Sequence, residues 1–195
     1  MSTVAPTAAA SRAGVLADLI PATRTRDIAL VAGGAVLTGL AAQLSVAVPG
    51  SPVPVTGQTF AALLVGSALG ARRGFLSLAL YTVLGLAGLP WFSGGTSGAG
   101  GASFGYVLGM LAASAVVGAL ARRGGDRSVP RTAATMVIGS AVVYAIGVPY
   151  LALSTGMSAG AAIAAGLVPF LIGDAIKAAL AMGALPASWK LADRR

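Results

Sequence analysis

Long apolar stretches, broken by short basic or glycine- and proline-rich segments, set the layout of the chain. No charge occurs after Asp27 as far as Val48, a length able to cross a hydrocarbon core of about 30 Å at about 1.5 Å per residue, which predicts a first helix over 27–48. The segment PGSPVP at 49–54 cannot continue it, because proline removes backbone donors and holds the preceding residue extended; an outer loop is expected there. A second helix is predicted over about 56–71, and the turn Arg72-Arg73-Gly74 leads into a third that ends near Leu89. Residues 90–101, PWFSGGTSGAGG, are too rich in glycine for helix or strand and read as a mobile loop. Further helices are expected over 102–120, 132–153 and 168–189, the last with Pro169 in its first turn, while 154–167 forms an outer connection with a short re-entrant or surface helix.

The positions of the cations orient these segments. Lys and Arg concentrate in cytoplasmic loops. With six spans and the N-terminus inside, Arg12, Arg24, Arg26, Arg72, Arg73, Arg122, Arg123, Arg127, Arg131, Lys190, Arg194 and Arg195 all fall on the inner side, and the three outer loops carry no charge. Lys177 alone departs from the rule. The expected fold is therefore an all-α integral membrane protein, a six-transmembrane-helix bundle with both termini cytoplasmic, in the cytoplasmic membrane. Residues 1–26 lack the apolar core of a secretory signal and read as a retained cytoplasmic extension, with 14–20 on the membrane surface; 27–190 form the membrane domain and 191–195 a cytoplasmic tail.

Composition narrows the chemistry. Hydrophobic residues make up 56% of the 195 and charged residues 9%, with a mean hydropathy of +0.88, too little charge to cover a water-soluble domain. The 28 glycines suit close-packed membrane helices. A net charge of +8 is spread in clusters between apolar segments rather than gathered on one solvated face, so nucleic acid is not an expected partner. The chain has no cysteine, histidine or glutamate, which excludes thiolate chemistry, removes the commonest metal ligand and general base, and leaves no cofactor or metal site to expect. Its only lysines, Lys177 and Lys190, follow no glycine-rich phosphate loop, so it is not itself an ATPase.

Against this background a few residues stand out. Asp174 and Lys177 lie three apart on one predicted helix face, where they can pair, roughly two turns in and in the outer half of the bilayer. Each costs about 2.5–3.5 kcal/mol at mid-membrane on insertion scales, which pairing offsets only in part. An ion pair that merely fixes helix register is one explanation, and a polar anchor for a small ligand is the other. Thr56, Gln58 and Thr59 crowd the mouth of the second helix: Thr56 is placed either to cap it or to touch a ligand, and the Gln58 amide can donate and accept. The glycine loop, with Gly94 and Gly95 beside Trp91 and Phe92, reads either as a connector or as a lid with an apolar tip. In the first helix, Ala29 with Gly33 and Ala35 with Gly39 give small-xxx-small spacing, for packing inside the bundle or on another subunit.

Four ordered blocks complete the reading: SPVPVTGQTF at 51–60 with LLVGSALGARRG at 63–74, YTVLGLAGLPWF at 81–92, GASFGYVLGM at 101–110 and VPFLIGDAIKAALA at 168–181. Together they resemble the BioY family, the biotin-binding membrane subunits of energy-coupling factor transporters. The resemblance implies a six-helix bundle that captures biotin at its outer face and works with a transmembrane coupling subunit and two ATPase subunits, with homo-oligomers also possible. It places the family's last-helix aspartate and lysine on Asp174 and Lys177, its loop between helices 3 and 4 on 90–101, and its coupling-subunit docking residues on the small residues of the first helix. Biotin's ureido group would then meet Asp174 together with Lys177 or Gln58, and its ring and chain would pack on Trp91, Phe92 and Tyr106. Rival readings are a binding subunit for another vitamin and, from a different class, a membrane-embedded enzyme using the Asp/Lys pair.

Overall fold

The computed structural model describes residues 14–193; Arg12, Arg194 and Arg195, with the ends of the expected extension and tail, lie outside the described residues. The chain is almost wholly helical: α1 (Arg24–Gln43), α2 (Gln58–Leu69), α3 (Ala71–Leu86), α4 (Phe104–Arg122), α5 (Val129–Thr155), α6 (Ala159–Gly166) and α7 (Phe170–Ala192). A two-residue hairpin, β1 (Ser45–Val46) with β2 (Val55–Thr56), joins α1 to α2 and pairs Ser45 with Thr56 and Val46 with Val55. It corrects two expectations. The first helix stops at Gln43 rather than at 48, and the Pro-rich loop is held as a hairpin with Val53 buried. The reason lies in the prolines: a backbone that cannot supply helical donors finds partners across a ladder instead.

Four helices are long and apolar enough to cross a membrane: α1 (20 residues), α4 (19), α5 (27) and α7 (23). α2, at twelve residues, spans only about 18 Å, short of a core of about 30 Å. It is also the most enclosed, burying Gln58, Ala61, Ala62, Leu63, Val65, Gly66, Ser67 and Leu69. Its lack of a polar face is explained by that position, since a helix apolar all round belongs inside. Ile28, Leu40, Val137, Ile172 and Leu180 project outward from α1, α5 and α7, a surface suited to lipid. α6 occupies the connection where a short helix is expected, entered by Ser158, whose side chain accepts from the Ala161 N–H at 3.3 Å.

Backbones cross closely where glycine removes the side chain. A methyl on Gly66 of α2 would stand 2.7 Å from Val117 Cγ2 and nearer still to the Ser114 carbonyl of α4, and one on Gly109 of α4 would lie 2.7 Å from the Val143 carbonyl of α5. Gly70, at φ 84°, ends α2 and starts α3 with no loop between them, a conformation that side chains resist.

Charged residues gather at one end of the bundle. Arg73 bridges Asp18 (2.8 Å) and Asp27 (3.0 Å), Arg26 pairs with Asp27 (2.6 Å), and Arg122 approaches Asp18 at 3.9 Å. This network draws in the piece expected on the membrane surface: Val15 and Ala17, on either side of the start of a 3-10 turn at Leu16–Leu19, are buried in the core. In the loop between α4 and α5, Asp126 accepts from the Trp189 indole N–H at 2.8 Å, and the Arg127 guanidinium sits 4.4 Å over the same ring. Burial holds the Asp126 carboxyl above its ordinary range, opposed by that indole bond. The end of α7 is thus fastened to the α4–α5 loop.

The Gly66 crossing generates a test of the packing. Gly66→Val should lower the melting temperature in detergent by the equivalent of about 1–3 kcal/mol, because no neighbour there is a free side-chain end. Gly183→Ala, in open space on α7, should leave it unchanged or raised.

Candidate ligand site

The polar residues of four helices and the hairpin converge at the end of the bundle opposite the arginine network. α7 brings Asp174 and Lys177, roughly 6 and 10 Å from its first residue and so shallower than the sequence implies, because α7 starts at Phe170 rather than 168. The Lys177 ammonium donates to Asp174 Oδ1 at 3.3 Å and to Thr59 Oγ1 of α2 at 2.6 Å, and the Tyr144 hydroxyl of α5 donates to Asp174 Oδ2. The pair is only 17% and 16% exposed for Lys177 and Asp174, so these bonds replace hydration. An ammonium has three donors and a carboxylate accepts about four bonds, so both groups keep capacity for a further partner.

Gln58 directly precedes Thr59 in this knot, at the first position of α2. Its Oε1 accepts from the Tyr81 hydroxyl at 2.9 Å, while its NH2 makes no hydrogen bond among the described residues. Thr56 does not cap α2: it belongs to β2, Gly57 occupies the cap position, and the Thr56 side chain lines the site. Tyr106 of α4 forms the apolar wall, its ring 6.2 Å from Phe170 in a stacked arrangement and edge-on to Tyr144. Its hydroxyl donates to the Gly166 carbonyl at 2.7 Å, and Gly147 leaves room for the ring, where a methyl would come within 2.6 Å of Cδ1.

These residues, with Val53, Pro54, Leu63, Ser93, Ser103, Ser140 and Val143, enclose a chamber of about 20 Å³, room for about one water. A second space of about 370 Å³ lies under the glycine loop and shares Pro54, Gln58, Ser93 and Ser103 with the first. A third, about 690 Å³ and almost entirely apolar, opens on the outer face of α5 and α7 and reaches Tyr144 and Asp174 from the other side.

The loop over the site has more structure than its composition predicts. Phe92 and Thr96 form a β-bridge, a 3-10 turn covers Ser93–Gly95, and Gly94 and Gly95 both adopt φ 70°. Gly98 N–H reaches Gly85 of α3 at 2.9 Å, and Ser93 pairs with Ser45 at 3.2 Å. Phe92 faces the larger space and sits over Gly85. Trp91 lies away from both chambers: its ring fills the notch left by Gly39 of α1, its N–H donates to the Tyr81 carbonyl at 3.0 Å, and Gln43 holds its own carbonyl at 3.0 Å. Of the four small residues of α1, Ala35 and Gly39 are therefore buried, and only Ala29 and Gly33 face outward. Tyr144 and Ser140 escape a reading of charges alone; their i, i+4 spacing within the otherwise apolar stretch 136–149 of α5 is the signal that marks them.

Fold and site define a helical membrane protein with an enclosed polar chamber near one end. The chain belongs to the BioY family, which residues 10–194 match. It is similar to the probable biotin transporter BioY of Pyrococcus horikoshii, 35% identical over 82% of this chain and 93% of that one. It also resembles the biotin transporter BioY of Rhizobium etli, 33% identical over 80% of this chain and 89% of that one. Its fold matches the crystal structure of an S-component for biotin from an ECF-type ABC transporter with a TM-score of 0.76, at 23% identity, covering 87% of this chain and 95% of that one.

The position of Trp91 yields a prediction. Trp91→Ala should lower the melting temperature by the equivalent of up to about 3 kcal/mol, the low end for an aromatic that is only half-buried, with Gly39→Ala destabilising in the same direction.

Proposed function

We propose that the chain captures biotin at the outer face of the cytoplasmic membrane and serves as the substrate-binding component of an energy-coupling factor transporter, with a transmembrane coupling subunit and two ATPase subunits as partners. The observation that carries this reading is the Asp174–Lys177–Thr59–Tyr144 knot beside the Gln58 amide, whose oxygen is held by Tyr81 while its NH2 makes no hydrogen bond among the described residues, inside an otherwise apolar bundle of a BioY-family chain. The relatives it matches are named biotin transporters, and none of this chemistry calls for catalysis.

Biotin's ureido group carries two N–H donors and one strong acceptor. Asp174, with lone pairs to spare, accepts one N–H, and the Gln58 NH2 donates to the ureido oxygen. Tyr106 and Phe170 cover the apolar ring system, and the space under the loop takes the remainder of the molecule. The third donor of Lys177 serves either the ureido oxygen or the carboxylate of the side chain. The loop around Gly94 and Gly95 acts as the lid, since the inner chamber admits no more than about a water while it is closed.

The same reading places six spans, with α2 and α3 completing the four long helices, residues 27–190 as the membrane domain, and both termini and the tail at 191–195 in the cytoplasm. The gathering of Arg26, Arg73, Arg122 and Arg127 at the end opposite Asp174 supports that orientation. Ala29 and Gly33, the outward small residues of α1, form the docking strip for the coupling subunit or for a second copy.

Asp174→Asn should weaken equilibrium biotin binding in detergent by about 10- to 100-fold, the worth of a hydrogen bond to a charged group; unchanged binding would refute the ligand role. Thiamin and riboflavin should not compete. Biotin methyl ester distinguishes the two roles of Lys177: weakened binding assigns it to the carboxylate, equal binding to the ureido end. Uptake of labelled biotin should rise when the coupling and ATPase subunits are co-expressed.

A further inference from the structure

At the arginine-bearing end, α1 and α3 run side by side and leave a groove of about 610 Å³ on the outer surface of the bundle. Its floor and walls are apolar, from Ile28 and Val31 of α1 and Leu76, Leu80 and Val83 of α3; Ile28, Leu76 and Val83 are strongly exposed. Its mouth is charged. Around it four arginines, Arg26, Arg72, Arg73 and Arg122, face two aspartates, Asp18 and Asp27, which leaves two positive charges over. The surplus is localised: Arg26 and Arg73 are held by acids at 2.6–3.0 Å, whereas Arg122 is half exposed and only 3.9 Å from Asp18, and Arg72 is exposed with no acidic partner among the described residues.

From Arg72 to Val83 the groove follows α3 for about 16 Å, roughly half of a hydrocarbon core of about 30 Å. A groove one leaflet deep, apolar along its length and cationic at its headgroup end, has the layout of a single phospholipid with a negative headgroup. A protein helix crossing the bilayer would instead need an apolar face of twice that length. We propose that this groove binds an anionic phospholipid, its phosphate held by Arg72 and Arg122 and one acyl chain lying between α1 and α3. The site is far from Asp174 and independent of which small molecule binds there.

The test is lipid retention by the purified full chain in detergent, followed by native mass spectrometry with dioleoylphosphatidylglycerol and dioleoylphosphatidylcholine in competition. The chain should hold the phosphatidylglycerol about 30-fold more tightly, as expected from two basic side chains at the headgroup. R72Q/R122Q should hold both lipids alike, R72K/R122K should keep the preference, and A79F, which fills the groove without touching the charges, should lower phosphatidylglycerol retention. Melting curves identify any variant that fails to fold, in which case the lysine and groove-filling variants decide the matter. Equal retention of the two lipids by the unaltered chain would overturn the proposal, as would competition by free glycerol 3-phosphate as strong as that of the lipid. It would also fall if phosphatidylglycerol is not retained but R72Q/R122Q abolishes capture of the coupling subunit, since the groove would then be a protein-docking surface.

Discussion

An aspartate and a lysine can be held inside an apolar bundle only if neighbouring helices supply the bonds that water would have made. In this chain the suppliers are Thr59 on α2 and Tyr144 on α5, both aimed at residues of α7. Each bond fixes the height of one helix against another, because a shift of one residue along any of the three axes would leave a buried charge bare. The chamber is therefore not a gap between helices that pack for other reasons. Its polar lining sets the register of α2, α5 and α7, and the apolar contacts fill in around it.

That register has to be reached by helices that lipid does not press together. Where tails outside are as apolar as leucine, association comes from close packing and polar contacts, so approach distance matters more than side-chain bulk. The Gly66 and Gly109 crossings put α2 against α4 and α4 against α5 at backbone contact. Their result is an inner helix, α2, shielded by the longer ones. It carries Gln58 and Thr59, so two of the groups lining the chamber lie on the helix most enclosed by the rest of the bundle.

How much of this could be read in advance depended on whether the cause was local. Asp174 and Lys177 were legible because the cost of an ionisable residue in an apolar run is a property of the run itself. The short helix within 154–167 follows from a local signal in the same way, whereas the turn expected at Arg72-Arg73-Gly74 lies inside α3, because Gly70 at φ 84° has already ended α2. Trp91 was misplaced for the opposite reason. A bulky aromatic beside a glycine loop looks free to meet a ligand, yet Gly39, distant in sequence, offers it a notch in α1. Thr56 has the chemistry of a helix cap, but the pairing of Val55 and Thr56 with β1 claims the backbone first, and that pairing depends on a return of the chain that no window around Thr56 contains. Tyr144 was invisible to a count of charges, and its value lies wholly in a partner thirty residues on.

The division of labour around the chamber follows from the stiffness of its parts. Asp174, Lys177, Thr59, Tyr144 and Tyr106 sit on helices whose relative positions are fixed by the bonds and crossings above. The cover is fastened differently: three hydrogen bonds close the turn from Phe92 to Thr96, and it is tied to the bundle by Gly98 on Gly85, Ser93 on Ser45, the Tyr150 hydroxyl on the Ala99 carbonyl and the Gln43 amide on the Phe92 carbonyl. Trp91 and Phe92 anchor its base in glycine notches, so displacement of the tip leaves the aromatic footing undisturbed. On the proposed reading, opening costs a few loop hydrogen bonds, whereas the recognition groups move not at all. A site built this way keeps its selectivity in the rigid helices and its rate of access in the loop, and substitutions at Gly94 or Gly95 would alter the second without altering the first.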